Sequence, residues 1–250
     1  MVTKHICFIT AVYGRNYQET YCKPFVSQTI PTNFICFTDN PDVIANGWLI
    51  DTNIYHDKTQ LDIKRIIKFY KMQWYKIPIL QDYEIVVWID SDIEIISKHT
   101  SEIIINKLEK NKIICWHHPL RYGQLQRDAF VSSGLQKYAN EDIMKQYQKY
   151  IEDGYDDNFF KHLHNLSGAC DPNNQHLGVW LTNFIAFLAK DNITHEFLDI
   201  WYQEIVNYTT QDRISFSYSC YKTGMIPYTL PDKDIYGIPN ISTQLYIIYV

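Results

Sequence analysis

The chain has 250 residues, 46% of them apolar and 20% charged, with a net charge of −5. That suffices for one packed domain and excludes the disordered and low-complexity classes. No Lys/Arg block marks it as a partner of nucleic acid or anionic membrane, and no run approaches the roughly 20 apolar residues of a membrane span.

The opening MVTKHICFITAVYG lacks the apolar length and small-residue cleavage site of a secretory signal, so a cytoplasmic location is expected. Six cysteines are scattered without a C-x-x-C pair, which fits buried free thiols rather than a disulfide framework. Asn192, Asn207 and Asn240 each open a glycan-acceptor triplet, idle without secretion.

Strands are expected at His5–Val12, Asn33–Thr38, Trp48–Asp51, Ile85–Ile89 and Ile113–Trp116. A helix is expected over Leu61–Tyr75. Its apolar stripe is Ile63, Ile67, Tyr70 and Trp74, its opposite face carries Lys64, Lys68 and Lys71, and Pro78 ends it. A second helix covers Thr100–Lys110, with Thr100 or Ser101 as N-cap. Leu125–Ile151 reads as helical. Glu152–Gln175 is a long polar loop and a candidate lid. Val179–Leu188 reads as a buried strand, followed by helices at Ile193–Tyr208 and Asp212–Tyr221 with Gly224 as C-cap. The apolar tail Leu245–Val250 needs a sheet edge or another subunit, so a homodimer is one outcome. The alternation predicts an α/β fold: one domain over 1–250 with a mostly parallel sheet flanked by helices.

The sharpest feature is Val86-Val87-Trp88-Ile89-Asp90-Ser91-Asp92. Alternation along a strand would point Asp90 and Asp92 the same way. Two carboxylates at a strand's carboxyl edge make a hard-cation site where open α/β sheets bind ligands. A divalent ion there, Mn²⁺ first and Mg²⁺ second, would bridge the phosphates of a nucleotide and stabilise a departing diphosphate. His117-His118 and His162-x-His164 lack cysteine partners at zinc spacing.

This strand and its D-x-D resemble the nucleotide-sugar site of GT-A glycosyltransferases. Further motifs in order are Lys68-x-Tyr70-Lys71-Met72, His118-Pro119-x-Arg121, Trp201-x-x-Glu204 and Gln211-Asp212-Arg213-Ile214-Ser215-Phe216. Together, over about residues 5–230, they resemble a glycosyltransferase-like family known from plant mucilage and turgor-related proteins, with bacterial and viral relatives. The resemblance implies a GT-A-like, Rossmann-like fold. Residues 5–120 would form its nucleotide-sugar-binding half and 121–230 its acceptor side, with 231–250 a tail. It also implies a nucleotide-sugar donor, UDP-linked by base rate, and a carbohydrate or glycoconjugate acceptor.

By the same resemblance, Asp90, Ser91 and Asp92 would hold metal, ribose and diphosphate. Thr10, Ala11, Tyr13, Thr38 and Asp39 would lie near the base. Lys64, Arg65, Lys68 and Lys71 would include one or two contacts to the diphosphate. His118, Arg121, Thr182 and Asn183 would face donor or acceptor, and Asp212 would be the general base of an inverting reaction. The third metal ligand would be Asp212, His176 or water. Departures fall at Gln211/Arg213, Leu181, Arg127 (with Asp128 next to it), Ala189 and Asp191, and these would shape acceptor choice. Two other readings remain: a degenerate transferase-like carbohydrate-binding module, and a metal-dependent nucleotidyl- or phosphotransferase. The second lacks a glycine-rich phosphate loop.

Overall fold

The computed structural model describes residues 5–14, 21–57, 62–118, 120–121, 123–160, 178–230 and the backbone of 247–249. The strands of the main sheet are β1 Ile6–Val12, β2 Thr32–Thr38, β3 Leu49–Asp51, β4 Ile85–Ile89, β6 Ile113–His117, β7 Trp180–Leu188 and β8 Tyr228–Leu230. They lie in the order β3-β2-β1-β4-β7-β6-β8. All run one way except β7, which is antiparallel to both of its neighbours. The expected mostly parallel α/β sheet is therefore present, with β8 added at its edge.

Central strands are apolar on both faces because helices cover both. In β1, Cys7, Ile9 and Ala11 enter one core while Ile6, Phe8 and Val12 enter the other; Val86 and Trp88 of β4 oppose Ile85, Val87 and Ile89 in the same way. Among the described residues, the helices packed on the first face are α1 Ile63–Met72, α3 Leu125–Ser133, α4 Ile143–Glu152, α5 Asn192–Asn207 and α6 Asp212–Thr223. Helix α2, Thr100–Leu108, covers the second with Ile104 and Leu108. Each such Ile or Leu side chain, fully buried, contributes about 1.5–3 kcal/mol.

Local chemistry moved several boundaries. Helix α1 is capped by Asp62, which accepts the Arg65 N–H at 2.9 Å, and it stops at Met72. The chain then tightens into 3₁₀ turns at Trp74–Lys76 and Pro78–Leu80. The expected Leu125–Ile151 helix is two helices separated by Gly134 and a 3₁₀ turn at Gln136–Tyr138, with Asp142 capping the second. At α2 the N-cap position belongs to His99 rather than Thr100 or Ser101; the Thr100 hydroxyl donates instead to the Ser97 carbonyl at 3.0 Å. Gly224 does end α6, at φ +67°.

A short strand β5, Ile93–Ile95, follows the Asp pair and had no sequence signal. It pairs antiparallel with β9, Ile247–Tyr249, so that part of the apolar tail does meet a sheet edge. The five cysteines among the described residues are free and buried. No helix of the described residues is long and apolar enough to cross a membrane. The greater part of the expected lid, with His162, His164 and His176, lies outside the described residues, as do Pro119 and Cys170.

Candidate active site

Strands β1 and β4 are parallel neighbours, with Ile9 opposite Trp88. From β1 the chain proceeds to β2 on one side, whereas β4 lies on the other, so the gap between them is a topological switch point. Open α/β sheets bind ligands in the crevice at that point, beyond the carboxyl ends of the strands. A cleft of about 160 Å³ lies there, lined by Ala11, Val12, Tyr13, Ile67, Lys68, Trp88, Asp90, Ser91 and Asp92. Six of the residues named from sequence thus share one cavity: Ala11, Tyr13, Lys68, Asp90, Ser91 and Asp92. Val12, Ile67 and Trp88 line it too, and read in sequence only as core.

The β1 wall is backed by stacked aromatic rings. Tyr13 donates to the Tyr70 hydroxyl at 2.7 Å and stacks on that ring, which stacks in turn on Phe37. Gly14 follows at φ +89° and donates its N–H to Asp39 at 3.0 Å. That φ favours glycine, while a Cβ there would only push aside the tip of the exposed Ile63 side chain, 2.9 Å away.

Strand alternation does not orient the Asp pair. β4 ends at Ile89, and Asp90–Ile93 form a tight turn in which the Ile93 N–H donates to the Asp90 carbonyl at 3.0 Å. The turn is pinned elsewhere too: Asp90 N–H to the Asn183 carbonyl at 2.8 Å, and Trp88 Nε1–H to Asp90 Oδ1 at 2.7 Å. Asp90 nevertheless keeps a side chain 42% exposed.

Two lysines of α1, Lys68 and Lys71, turn inward. Lys71 is fully buried, and its Nζ lies 2.6 Å from Asp212 Oδ2 and 3.7 Å from Asp90 Oδ1, over the rings of Trp88 and Trp201. Lys68 reaches the same Asp212 oxygen at 2.5 Å, while Thr182 donates to Oδ1 at 2.9 Å and Trp201 Nε1 donates to the Asp212 carbonyl. Burial drives Lys71 below the usual lysine range, an effect Asp212 and Asp90 only partly offset. Lys68 resists the same burial penalty and is carried above that range by Asp212 and Asp90. Burial alone would raise the Asp212 carboxyl. The two ammoniums outweigh it and hold the group well below the ordinary carboxylate range. A carboxylate so compensated is held as the anion between its two ammoniums.

Thr182 and Asn183 reach the site beside a break in the β6–β7 ladder. Cys115 faces Ile185 but Trp116 faces Leu181, so β7 bulges between them. Bulges re-aim side chains, and Thr182, inside this one, donates to Asp212, while the Asn183 carbonyl continues the β4–β7 register to the Asp90 N–H.

A second buried cluster adjoins the first. Asp128, fully buried, accepts Arg121 Nε at 2.9 Å, Arg213 Nε at 3.2 Å and Arg213 Nη2 at 3.1 Å. Arg213 and Gln211 both donate to the Ser132 hydroxyl. His118 is buried beside them. Burial first, then Arg213 and Arg121, push its imidazole down to about 4 against the pull of Asp128, so the ring is neutral. None of these residues lines the cleft.

Other residues named from sequence have structural duties. Thr10 is sealed in the core, and Thr38 accepts the Asn40 N–H. Lys64 pairs with Glu141 at 3.3 Å. Arg65 points away from the cleft to the carbonyls of Ile205 and Tyr208, satisfying the open end of α5. Ala189 and Asp191, expected to influence acceptor choice, lie at the far edge of the sheet. The Ala189 N–H bonds the Glu84 carbonyl ahead of β4, and Asp191 caps α5.

The mostly parallel sheet flanked by helices is a fold found in a solved glycosyltransferase. The apo structure of WbbM, a bifunctional glycosyltransferase, superimposes with a TM-score of 0.50 at 12% identity over 94% of this chain. The chain spans 40% of WbbM. Mouse xyloside xylosyltransferase 1, also in apo form, gives 0.48 at 9% identity, covering 93% of this chain and 86% of its own. The first of these likenesses shows a common fold. No family model matches the chain, and no curated protein matches it.

Proposed function

We propose that the chain is a glycosyltransferase that binds a nucleotide-sugar in the cleft between β1 and β4, with a divalent cation on Asp90 and Asp92. The observation carrying this reading is the cleft itself: two carboxylates and the Lys68 ammonium on one cavity at the switch point of the sheet.

The donor set suits a cation that arrives with its substrate. No group of three or more His, Cys, Asp or Glu able to hold a metal occurs among the described residues. Mg²⁺ and Mn²⁺ are commonly held by one or two carboxylates, with water and phosphate oxygens completing the shell. Such an ion would polarise the diphosphate and neutralise charge on its departure. The resident cations serve the same end. Lys68, which lines the cleft, and Lys71 behind it set two ammoniums on the single carboxylate of Asp212, next to where an anionic ligand would lie. Asp212 is assigned to hold Lys68 and Lys71, and the stacked Tyr13 and Tyr70 to shape the base side. UDP is the donor nucleotide to test first.

A thermal-shift panel of UDP, GDP, CDP and their common sugar conjugates, with and without Mn²⁺, tests this on wild type and Asp92→Ala. At 100 times its dissociation constant a ligand adds about 2.7 kcal/mol, visible as a raised melting temperature. One nucleotide stabilising wild type only with metal, and failing on the variant, is the expected result. No shift under any metal would overturn the reading.

A further inference from the structure

The 3₁₀ turn between α3 and α4 is pinned against the candidate site. Tyr138, buried within it, donates its hydroxyl to Gln211 Oε1 at 3.2 Å, one residue before Asp212. The Lys137 carbonyl accepts the Lys64 ammonium at 2.6 Å. Both ammoniums lie over the Tyr138 ring, Lys64 at 5.5 Å and Lys137 at 5.0 Å from its centre. Lys64 lies about one helical turn, roughly 6 Å, along α1 from Lys68, which lines the cleft. Lys137 thus borders the site although nothing in the sequence singled it out.

The cations around it have carboxylates of their own. Lys64 pairs with Glu141, Lys68 and Lys71 with Asp212, and Arg121 and Arg213 with Asp128. Lys137 has no carboxylate in contact among the described residues, and its side chain is exposed. The charges that act on it, strongest first, are Arg213, Asp212, Lys68 and Asp90. Coulomb energy falls with distance, so Lys137 stands on the Asp212–Arg213 side of the site, beyond Lys68 from the Asp90 turn. Partial burial, then Arg213 and Lys68, hold its ammonium below the usual lysine range against the pull of Asp212 and Asp90. An ammonium set among cations without a counter-ion gains from an anion that a ligand brings.

The diphosphate of a bound donor would lie at Asp90, Asp92 and Lys68, which share the cleft. The next part of such a donor is its sugar, on which a carboxylate would meet the remaining cation. We propose that Lys137 is a specificity residue that selects an acidic donor, a nucleotide-sugar carrying a uronic acid whose carboxylate pairs with the Lys137 ammonium. This inference rests on the transfer reading and adds the class of sugar to it.

Calorimetry in Mn²⁺ tests it with donors matched except at C6: UDP-glucuronate against UDP-glucose, UDP-galacturonate against UDP-galactose, and GDP-mannuronate against GDP-mannose. One uronate donor should bind wild type at least about tenfold more tightly than its neutral partner. Lys137→Met should erase that preference and Lys137→Arg should keep it. In both variants the dissociation constant of the neutral donor, which also reports that the site is folded, should move by less than about threefold. The inference is overturned if no uronate donor binds, if the neutral partner binds as tightly, or if the preference survives Lys137→Met. UDP or GDP binding wild type with Mn²⁺ while no uronate is preferred would remove this inference and leave the transfer reading standing; no nucleotide binding at all would remove both.

Discussion

Helix α6 begins with two neighbouring charges that are buried in opposite ways. Asp212 receives two lysines and borders the cleft through Lys68; Arg213 joins Arg121 on Asp128 and does not reach it. Each cluster sets two cations on one carboxylate, yet the chemistry differs. Guanidinium is a planar fork that locks its partner's geometry, whereas ammonium is a point charge on a flexible stem that can turn to another anion. The arginine cluster is a brace, and the lysine cluster is a reserve of charge beside a ligand site.

The brace should give the larger loss when broken. Asp128→Ala leaves two guanidiniums buried without their anion and is expected to destabilise by about 3–5 kcal/mol in urea unfolding. A loss below about 1 kcal/mol would show that Asp128 is no brace. His118 reports on the same cluster through pH. The unfolded imidazole takes up its proton near 6.5 and the folded one only at about 4, so the unfolded state binds more protons across that window. Stability therefore falls as pH drops from about 6.5, by about 2–3 kcal/mol at pH 4, and His118→Gln should remove that slope.

Lys68→Met should reverse the pattern. Lys71 still compensates Asp212, so stability should change by less than about 1 kcal/mol. Metal-dependent nucleotide affinity should fall about tenfold, or 1.4 kcal/mol, by thermal shift or calorimetry. Equal losses in both properties would erase the distinction between the clusters. The smallest effect belongs outside both: Lys76 and Asp199 pair at 2.9 Å with each side chain 50% exposed, and Lys76→Ala should cost about 0.2–1 kcal/mol, screened by salt.

The same clusters show how far the sequence can be read. The α/β alternation, the strand leading into Asp90 and the cap at Gly224 are local patterns, and each was legible. Lys68 and Lys71 were read as diphosphate contacts or as a solvated face; their partner Asp212 is 144 and 141 residues away, and nothing near them announces it. Arg65 looked like a diphosphate ligand because the need it meets belongs to a helix ending 140 residues later. The turn at Asp90–Ile93 was read as extended, since a D-x-D pattern looks alike in a strand and in a turn. The bulge that delivers Thr182 to Asp212 is a property of the β6–β7 pairing, which neither strand encodes alone.

That separation also governs how the molecule is made. Synthesis at about 5–20 residues per second delivers Asp212 roughly 7–28 seconds after Lys71. Until then Lys68 and Lys71 lack the carboxylate that compensates their burial, so burying them is unfavourable and they stay in water. The charge that ends up buried in the finished protein first serves the nascent one as its polar surface.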